Sequence, residues 1–349
     1  MNVLVLGMGV LGSLYAAKLR QAGHTVAVLA RGQRALDLRT HGIVLEDATS
    51  GVREVTPVTV LERLDPDEPY DVILVVVRKD QLASILPIIA AHRATPSILF
   101  MVNTALGPDE LARAVGSERV LLGFAGAGGT RDGHVVRYHV LPSWQQPTSL
   151  GELDGQRTAR VERIGGALHE AGFPVAFRRN MDAWLKTHVM WTCPAAHALY
   201  MVGGSNYTLA HTPDALVLWT RAVREGFQVL RVLGVPITPP NLRVFEVLPE
   251  PLLVAALSRL LDTPTAELVI ARHANTARAE YVQLGNEVLS LARRAGVATP
   301  AFDRLRPYVD AARPPVTTGS AALALRWGEL GPWLAALVLV PLLTTRRRR

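Results

Sequence analysis

The first third of the chain is built from short, nearly unbroken apolar runs. Residues 2–6, Thr25 to Ala30, Val72 to Val77, Ile98 to Val102 and Val120 to Phe124 each read as a buried strand. Because these runs are continuous rather than alternating, the sheet they build is expected to be covered on both faces. Between the first two, Leu11 to Ala22 is amphipathic and stops at Gly23, a strand, turn and helix with a glycine end signal. The short link to the second run favours a parallel strand placed by a right-handed crossover. After about Gly151 the period becomes helical, through Val161 to Ala171, Met181 to Tyr200, Pro213 to Leu233 and Ala266 to Ala295, with few strand signals. Ile237-Thr238-Pro239-Pro240 and Pro249 to Pro251 mark turns. The pattern predicts a doubly wound α/β domain with a mostly parallel sheet over 1–155, an all-α domain over 156–315 and a tail over 316–349.

At 349 residues the chain exceeds the ~250 at which single cores stop growing, which agrees with two domains. A hydrophobic share of 49% with 19% charged residues excludes a disordered chain. Of the net charge of +7, Arg346 to Arg349 supply four, so the body is close to balanced. Its basic residues form no stripe with interleaved aromatics, and no nucleic-acid partner is expected. Cys193 is alone, without a disulfide partner or a Cys or His at metal-ligand spacing, which fits a reducing cytoplasm and no metal. Met1 leads straight into Val3-Leu4-Val5-Leu6, so the start reads as a fold element and not an export signal.

Gly7-Met8-Gly9-Val10-Leu11-Gly12 is a G-x-G-x-x-G between the first strand and the first helix, the context in which that motif binds dinucleotides. The first glycine permits the tight turn, the second lets backbone approach a pyrophosphate, and the third lets helix pack on strand. The helix then offers unpaired N–H groups to the phosphates. This is the signature of a Rossmann domain. The second strand ends at Arg31 with Arg34 one turn on, and no carboxylate stands there to accept from a ribose 2′-hydroxyl. A planar guanidinium at that strand end suits the extra phosphate of NADPH, against the plainer alternative of a solvated surface arginine.

Together with Val28-Leu29-Ala30-Arg31-Gly32, Val75-Val76-Val77-Arg78-Lys79-Asp80-Gln81, Asn103-Thr104-Ala105-Leu106-Gly107, Trp184-Leu185-Lys186 and Ala295-Gly296-Val297-Ala298-Thr299-Pro300, the glycine loop resembles the ketopantoate reductase family. The resemblance covers nearly the whole chain. It implies a Rossmann domain followed by a helical domain, and reduction of 2-dehydropantoate to pantoate with NADPH. It gives Lys186 the catalytic role of polarising the substrate carbonyl and supplying the proton, although a lone lysine on an apolar helix also snorkels to water. Asn103 is implied beside nicotinamide and substrate, while an asparagine after a strand also serves as a turn or cap residue. Arg78 stands where the family has a cofactor-contacting lysine, and Lys79 is next to it. A homodimer is compatible with the resemblance.

The sequence departs from the family in three places. One and two turns after Lys186 the resemblance implies asparagines, and the chain has Met190 and Pro194. Asn206 matches a later substrate-binding asparagine, or is a loop residue. The substrate-binding glutamate is implied six residues before Gly285, which is Ala279; the carboxylate is at Glu280, turned by about 100° on a helix. Glu280 is therefore a substrate-binding candidate or a solvated helix residue. A different keto or hydroxy acid, and a non-catalytic NADPH-binding protein, stay open beside the first reading. Pro332 to Leu343 is shorter than the ~20 apolar residues that cross a bilayer. With the arginines behind it, that tail suits peripheral contact with anionic headgroups, or packing on its own domain or a partner subunit.

Overall fold

The computed structural model describes residues 1–333, without the side chains of Leu268 and Val269. Two compact units emerge: Met1–Met190 with Asn275–Leu291, and Trp191–Ala274 with the chain from Ala292.

In the first unit, β1 (Asn2–Leu6), α1 (Val10–Gln21), β2 (Thr25–Leu29), α2 (Gly32–His41), β3 (Ile43–Asp47), β4 (Arg53–Thr56), β5 (Thr59–Leu61) and β6 (Val72–Val75) follow in order. Then come α3 (Lys79–Ala91), β7 (Ile98–Phe100), α4 (Asp109–Val115), β8 (Val120–Phe124), β9 (Ala127–Asp132), β10 (Val135–Val140), β11 (Thr148–Glu152), α5 (Ala159–Glu170) and β12 (Val175–Phe177). The main sheet has the order β12-β11-β8-β7-β6-β1-β2-β5. Every neighbouring pair is parallel except β8 with β11. The five strands read from the apolar runs are all present.

Alternate residues of β1 serve opposite cores. Val3 and Val5 join Leu14, Tyr15, Val28 and Phe173 on one face, while Leu4 and Leu6 join Ile73, Leu82, Phe100 and Trp184 on the other. This double burial is why the strand sequences show no polar alternation. The strand order reverses between β1 and β6, so their C-terminal ends open a crevice of the kind in which doubly wound sheets bind ligands.

The periodicity missed a second sheet, ordered β4-β3-β10-β9. Its β9, Ala127–Asp132, reads Ala-Gly-Gly-Thr-Arg-Asp and buries none of its residues fully, so it carries no apolar signal. Packing also departs from a division at residue 155. β12 extends the main sheet, and the start of α6 (Met181–Met201) buries Met181, Trp184 and Leu185 in the second core.

The second unit is helical, with α7 (Asn206–Ala210), α8 (Pro213–Val232) and helices Glu250–Leu261 and Pro300–Leu305. The periodic stretch from Ala266 to Ala295 is not one helix. It is interrupted at Ala277, and the helix that follows is Arg278–Ala295.

A segment read as tail straps this unit together. The buried Asp214 carboxylate accepts from the Ser320 hydroxyl, the Ala322 amide at 3.1 Å and the Leu323 amide at 2.7 Å. Glu250, fully buried, holds Arg221 through two 2.8 Å bonds and the Arg326 amide at 3.0 Å. Glu329 closes the strap on Arg224 at 3.0 Å. Residues from 334 on, including most of the apolar run and all four terminal arginines on which membrane contact was expected, lie outside the described residues. Among the described residues no helix is long and apolar enough to cross a membrane.

Asp214→Ala should lower stability by roughly 1–3 kcal/mol in urea denaturation, because it strands several strap donors. Burial raises the Asp214 carboxyl, but the Ser320, Leu323 and Ala322 hydrogen bonds outweigh it and the net shift is downward. The contribution is therefore full above the unfolded value near ~3.9 and is lost as pH falls through the lower folded value. The wild-type and Asp214→Ala stabilities should converge in acid; a gap that stays constant from neutral pH into acid contradicts this.

Candidate active site

Glycine fixes the turn after β1. Gly7 has φ +93°, and a Cβ there would overlap the Val76 carbonyl oxygen; a Cβ on Gly12 would overlap the Gly7 carbonyl oxygen. Met8 is buried in the core, and Val10 and Leu11 pack against it. Gly9 differs, since a Cβ there meets nothing within 4 Å. It caps α1 with no side-chain hydrogen bond, so the first N–H groups of the helix meet no side-chain acceptor at their cap. An open, uncapped helix start fits the pyrophosphate of a dinucleotide.

Arg31 is exposed at the start of α2 and has no hydrogen-bond or ion-pair partner among the described residues. Arg34 is fastened to the glycine loop, with Nε donating to the Met8 carbonyl at 3.1 Å and Nη2 to Ser13 Oγ at 2.8 Å.

Across the crevice, helix Arg278–Ala295 presents two carboxylates two turns apart to the loops after β6 and β7. Glu280, only 2% exposed, accepts from the Lys79 backbone amide at 3.2 Å and from Asn103 Nδ2 at 3.3 Å. Burial pushes its carboxyl above the usual range, against those two hydrogen bonds. The expectation of a solvated glutamate fails because the helix restarts after Ala277, which puts Glu280 in a buried first turn. Asn103 Oδ1 is buried with no partner, an acceptor left over for a ligand.

Glu287 accepts from the Ala105 amide at 2.7 Å and from Thr104 Oγ1 at 3.4 Å. It also pairs with Lys79 Nζ at 3.1 Å, which reaches Glu110 at 3.2 Å. Lys79 is thus a buried structural cation. Arg78 forks onto its neighbour Asp80 at 3.0 and 3.1 Å.

Lys186 is nearly buried on α6, and its ammonium contacts both oxygens of Asp182 one turn earlier. It does not snorkel. A Cβ on Gly107, four residues past Asn103, would stand 3.1 Å from Lys186 Nζ, so the lysine lies against the loop that carries Asn103. The structure therefore brings the glycine loop, Asn103, Glu280 and Lys186 into one unit. Asn206 lies in the other, where its buried amide donates to the Leu261 and Thr263 carbonyls at 2.8 and 3.3 Å. Asp182 and Glu287 had escaped notice, and Lys79, considered beside Arg78 for contact with the cofactor, is instead paired with Glu287 and Glu110. The signals were the seven-residue spacing of Glu280 and Glu287 and the i,i+4 spacing of Asp182 and Lys186.

Lys79→Met leaves Glu287 buried without its cation and should cost about 3–5 kcal/mol in chemical denaturation, whereas Lys79→Met with Glu287→Gln should cost less than the single change. A single-variant loss below about 1 kcal/mol would show the pair to be loosely held.

Residues 3–155 match the family described as Ketopantoate reductase PanE/ApbA. A curated relative, the 2-dehydropantoate 2-reductase of Aquifex aeolicus (strain VF5), is 23% identical over 324 residues, covering 89% of this chain and 96% of that protein. Among solved structures, the 2-dehydropantoate 2-reductase of Geobacter metallireducens GS-15 superposes with a TM-score of 0.72 at 18% identity, over 90% of this chain and all of the other. D-mandelate dehydrogenase in ternary complex with NADH and anilino(oxo)acetate gives 0.71 at 18% identity, over 89% and 97%. At these identities the structural likeness establishes the fold, a Rossmann domain with a helical C-terminal region. With the glycine loop, the strand order and the matched residues in agreement, the N-terminal domain of this chain is similar to the ketopantoate reductase family, a family of oxidoreductases.

Proposed function

We propose that this protein is an NADPH-dependent reductase of a 2-oxo acid, with 2-dehydropantoate, reduced to (R)-pantoate, as the substrate that the family match favours. The observation that carries the reading is Lys186, held by Asp182 against the loop from Asn103 to Gly107 at the crevice end of the sheet.

NADPH bound on the glycine loop supplies two electrons and a hydrogen to the carbonyl carbon. The chain's own residues do the rest. Met8, Gly9, Val10 and Leu11 offer backbone to the pyrophosphate between the two packing glycines, Gly7 and Gly12, and Arg31 stands at the strand end where a 2′-phosphate falls. Lys186 presents its ammonium to the carbonyl oxygen, stabilises the charge that develops there and transfers its proton. Asp182 fixes the lysine's orientation. Glu280 orients Asn103, whose free Oδ1 accepts from cofactor or substrate. Arg78 flanks this edge with its charge already matched by Asp80, so its contribution to cofactor binding is secondary.

A second reading has a specific basis. On α6 the side chains one and two turns after Lys186 are apolar, Met190 and Pro194, and D-mandelate dehydrogenase was captured with anilino(oxo)acetate, an aryl-bearing oxo acid. A 2-oxo acid with an apolar or aromatic side chain is the alternative substrate.

Lys186→Ala should lower kcat by about 10²–10⁴-fold while NADPH affinity stays within about twofold of wild type, read by steady-state kinetics and calorimetry. A variant that keeps its kcat would remove Lys186 from the chemistry.

A further inference from the structure

We propose that Arg34 and Arg131 join Arg31 in a three-guanidinium clamp for the 2′-phosphate of NADPH, and so set the preference for NADPH over NADH; this rests on the NADPH reading above. Two of Arg34's donor nitrogens are committed to Met8 and Ser13, which fixes the guanidinium plane at the rim of the glycine loop. The third, Nη1, is buried and has no partner. A native fold rarely leaves such a donor unmatched, so a ligand or an ordered water supplies its acceptor.

Arg131 arrives from a different element. β9 runs past the first turn of α1, where a Cβ on Gly129 would come within 3.0 Å of Val10 Cγ1, and Arg131 is two residues along on the same strand face. Its side chain is exposed and has no ion-pair or hydrogen-bond partner among the described residues. Burial, and after it the charge of Arg131, pushes the Arg34 guanidinium below its ordinary value, with Asp37 opposing. Asp37 is itself engaged by Gln33 at 2.8 Å. Arg34 and Arg131 therefore sense each other's charge beside the glycine loop, and Arg31 caps the helix that carries Arg34.

What this gathering lacks is a compact dianion that accepts from several planar donors, which is the chemistry of a phosphate monoester. A ribose 2′-hydroxyl has no charge to offset three guanidinium groups, so the same cluster discriminates against NADH.

The test is calorimetric titration of the full chain with NADPH, NADH, 2′,5′-ADP and 5′-AMP. The Arg131 side chain makes no described hydrogen bond and its backbone pairing with β10 does not depend on it, so Arg131→Ala should fold normally. It should raise the Kd for NADPH and 2′,5′-ADP about tenfold while leaving NADH and 5′-AMP within about twofold. Arg34→Ala also releases Met8 and Ser13, so its reading is the ratio: the loss for 2′,5′-ADP should exceed that for 5′-AMP. If Arg31→Ala shifts the NADPH-to-NADH ratio and Arg131→Ala does not, the clamp is overturned and the cofactor reading stands. If neither shifts it, the cofactor reading falls as well.

Discussion

The first strand, its glycine turn and the end of β6 meet at backbone-to-backbone distance, and this constraint decides what the rest of the site can be. Gly7 lies where any side chain would overlap the Val76 carbonyl, and Gly12 lies equally close to Gly7. With both positions bare, α1 starts at the reversal of strand order and directs its uncapped N–H groups into the crevice. Gly9 alone is bare for no internal reason, which is why the space beside it reads as a ligand's.

The other side of the crevice is held by charge instead of close packing. Helix Arg278–Ala295 reaches the loops after β6 and β7 through Glu280 and Glu287, and a buried Lys79 is clamped between Glu287 and Glu110. A buried ion pair of this kind is an indifferent source of stability, since desolvation consumes most of the attraction. Its effect here is geometric: the loop from Asn103 to Ala105 is gripped at both ends, and Lys186 meets the same loop at Gly107. The cations divide accordingly, with Lys79 and Arg78 matched by carboxylates of the protein, while the Arg31 and Arg131 guanidinium groups have no hydrogen-bond or ion-pair partner among the described residues.

Much of this was legible in the sequence, and the failures have common physical causes. Five strands of the main sheet, β1, β2, β6, β7 and β8, announce themselves because both faces are buried, whereas the half-exposed β5 and β12 and the polar β11 do not; the glycine loop is legible because its chemistry is local. β4, β9 and β10 were missed because much of that second sheet is solvent-facing and polar, as in the exposed Arg53, Glu54 and Val55, and the buried β3 because its apolar part is only Ile43 to Leu45. Glu280 could not be placed by counting from Gly285, because what buries it is contact with Lys79 and Asn103, some 180–200 residues earlier in the chain. Asn206 carries the right side chain, but contacts more than fifty residues away use its amide for the backbone of another helix. The strap is held by Asp214, Glu250 and Arg224, residues about 76–109 positions from their partners, so no periodicity within the segment could reveal it.

The central claim is that the crevice residues of the first unit perform a reduction and do not merely hold a nucleotide. The most direct measurement is the absorbance of NADPH followed with purified protein over a panel of 2-oxo acids, from 2-dehydropantoate to aryl-substituted ones, with binding of NADPH measured in parallel. The account expects NADPH to bind and to be consumed stoichiometrically with at least one of these acids. Tight NADPH binding without consumption across the whole panel would contradict it.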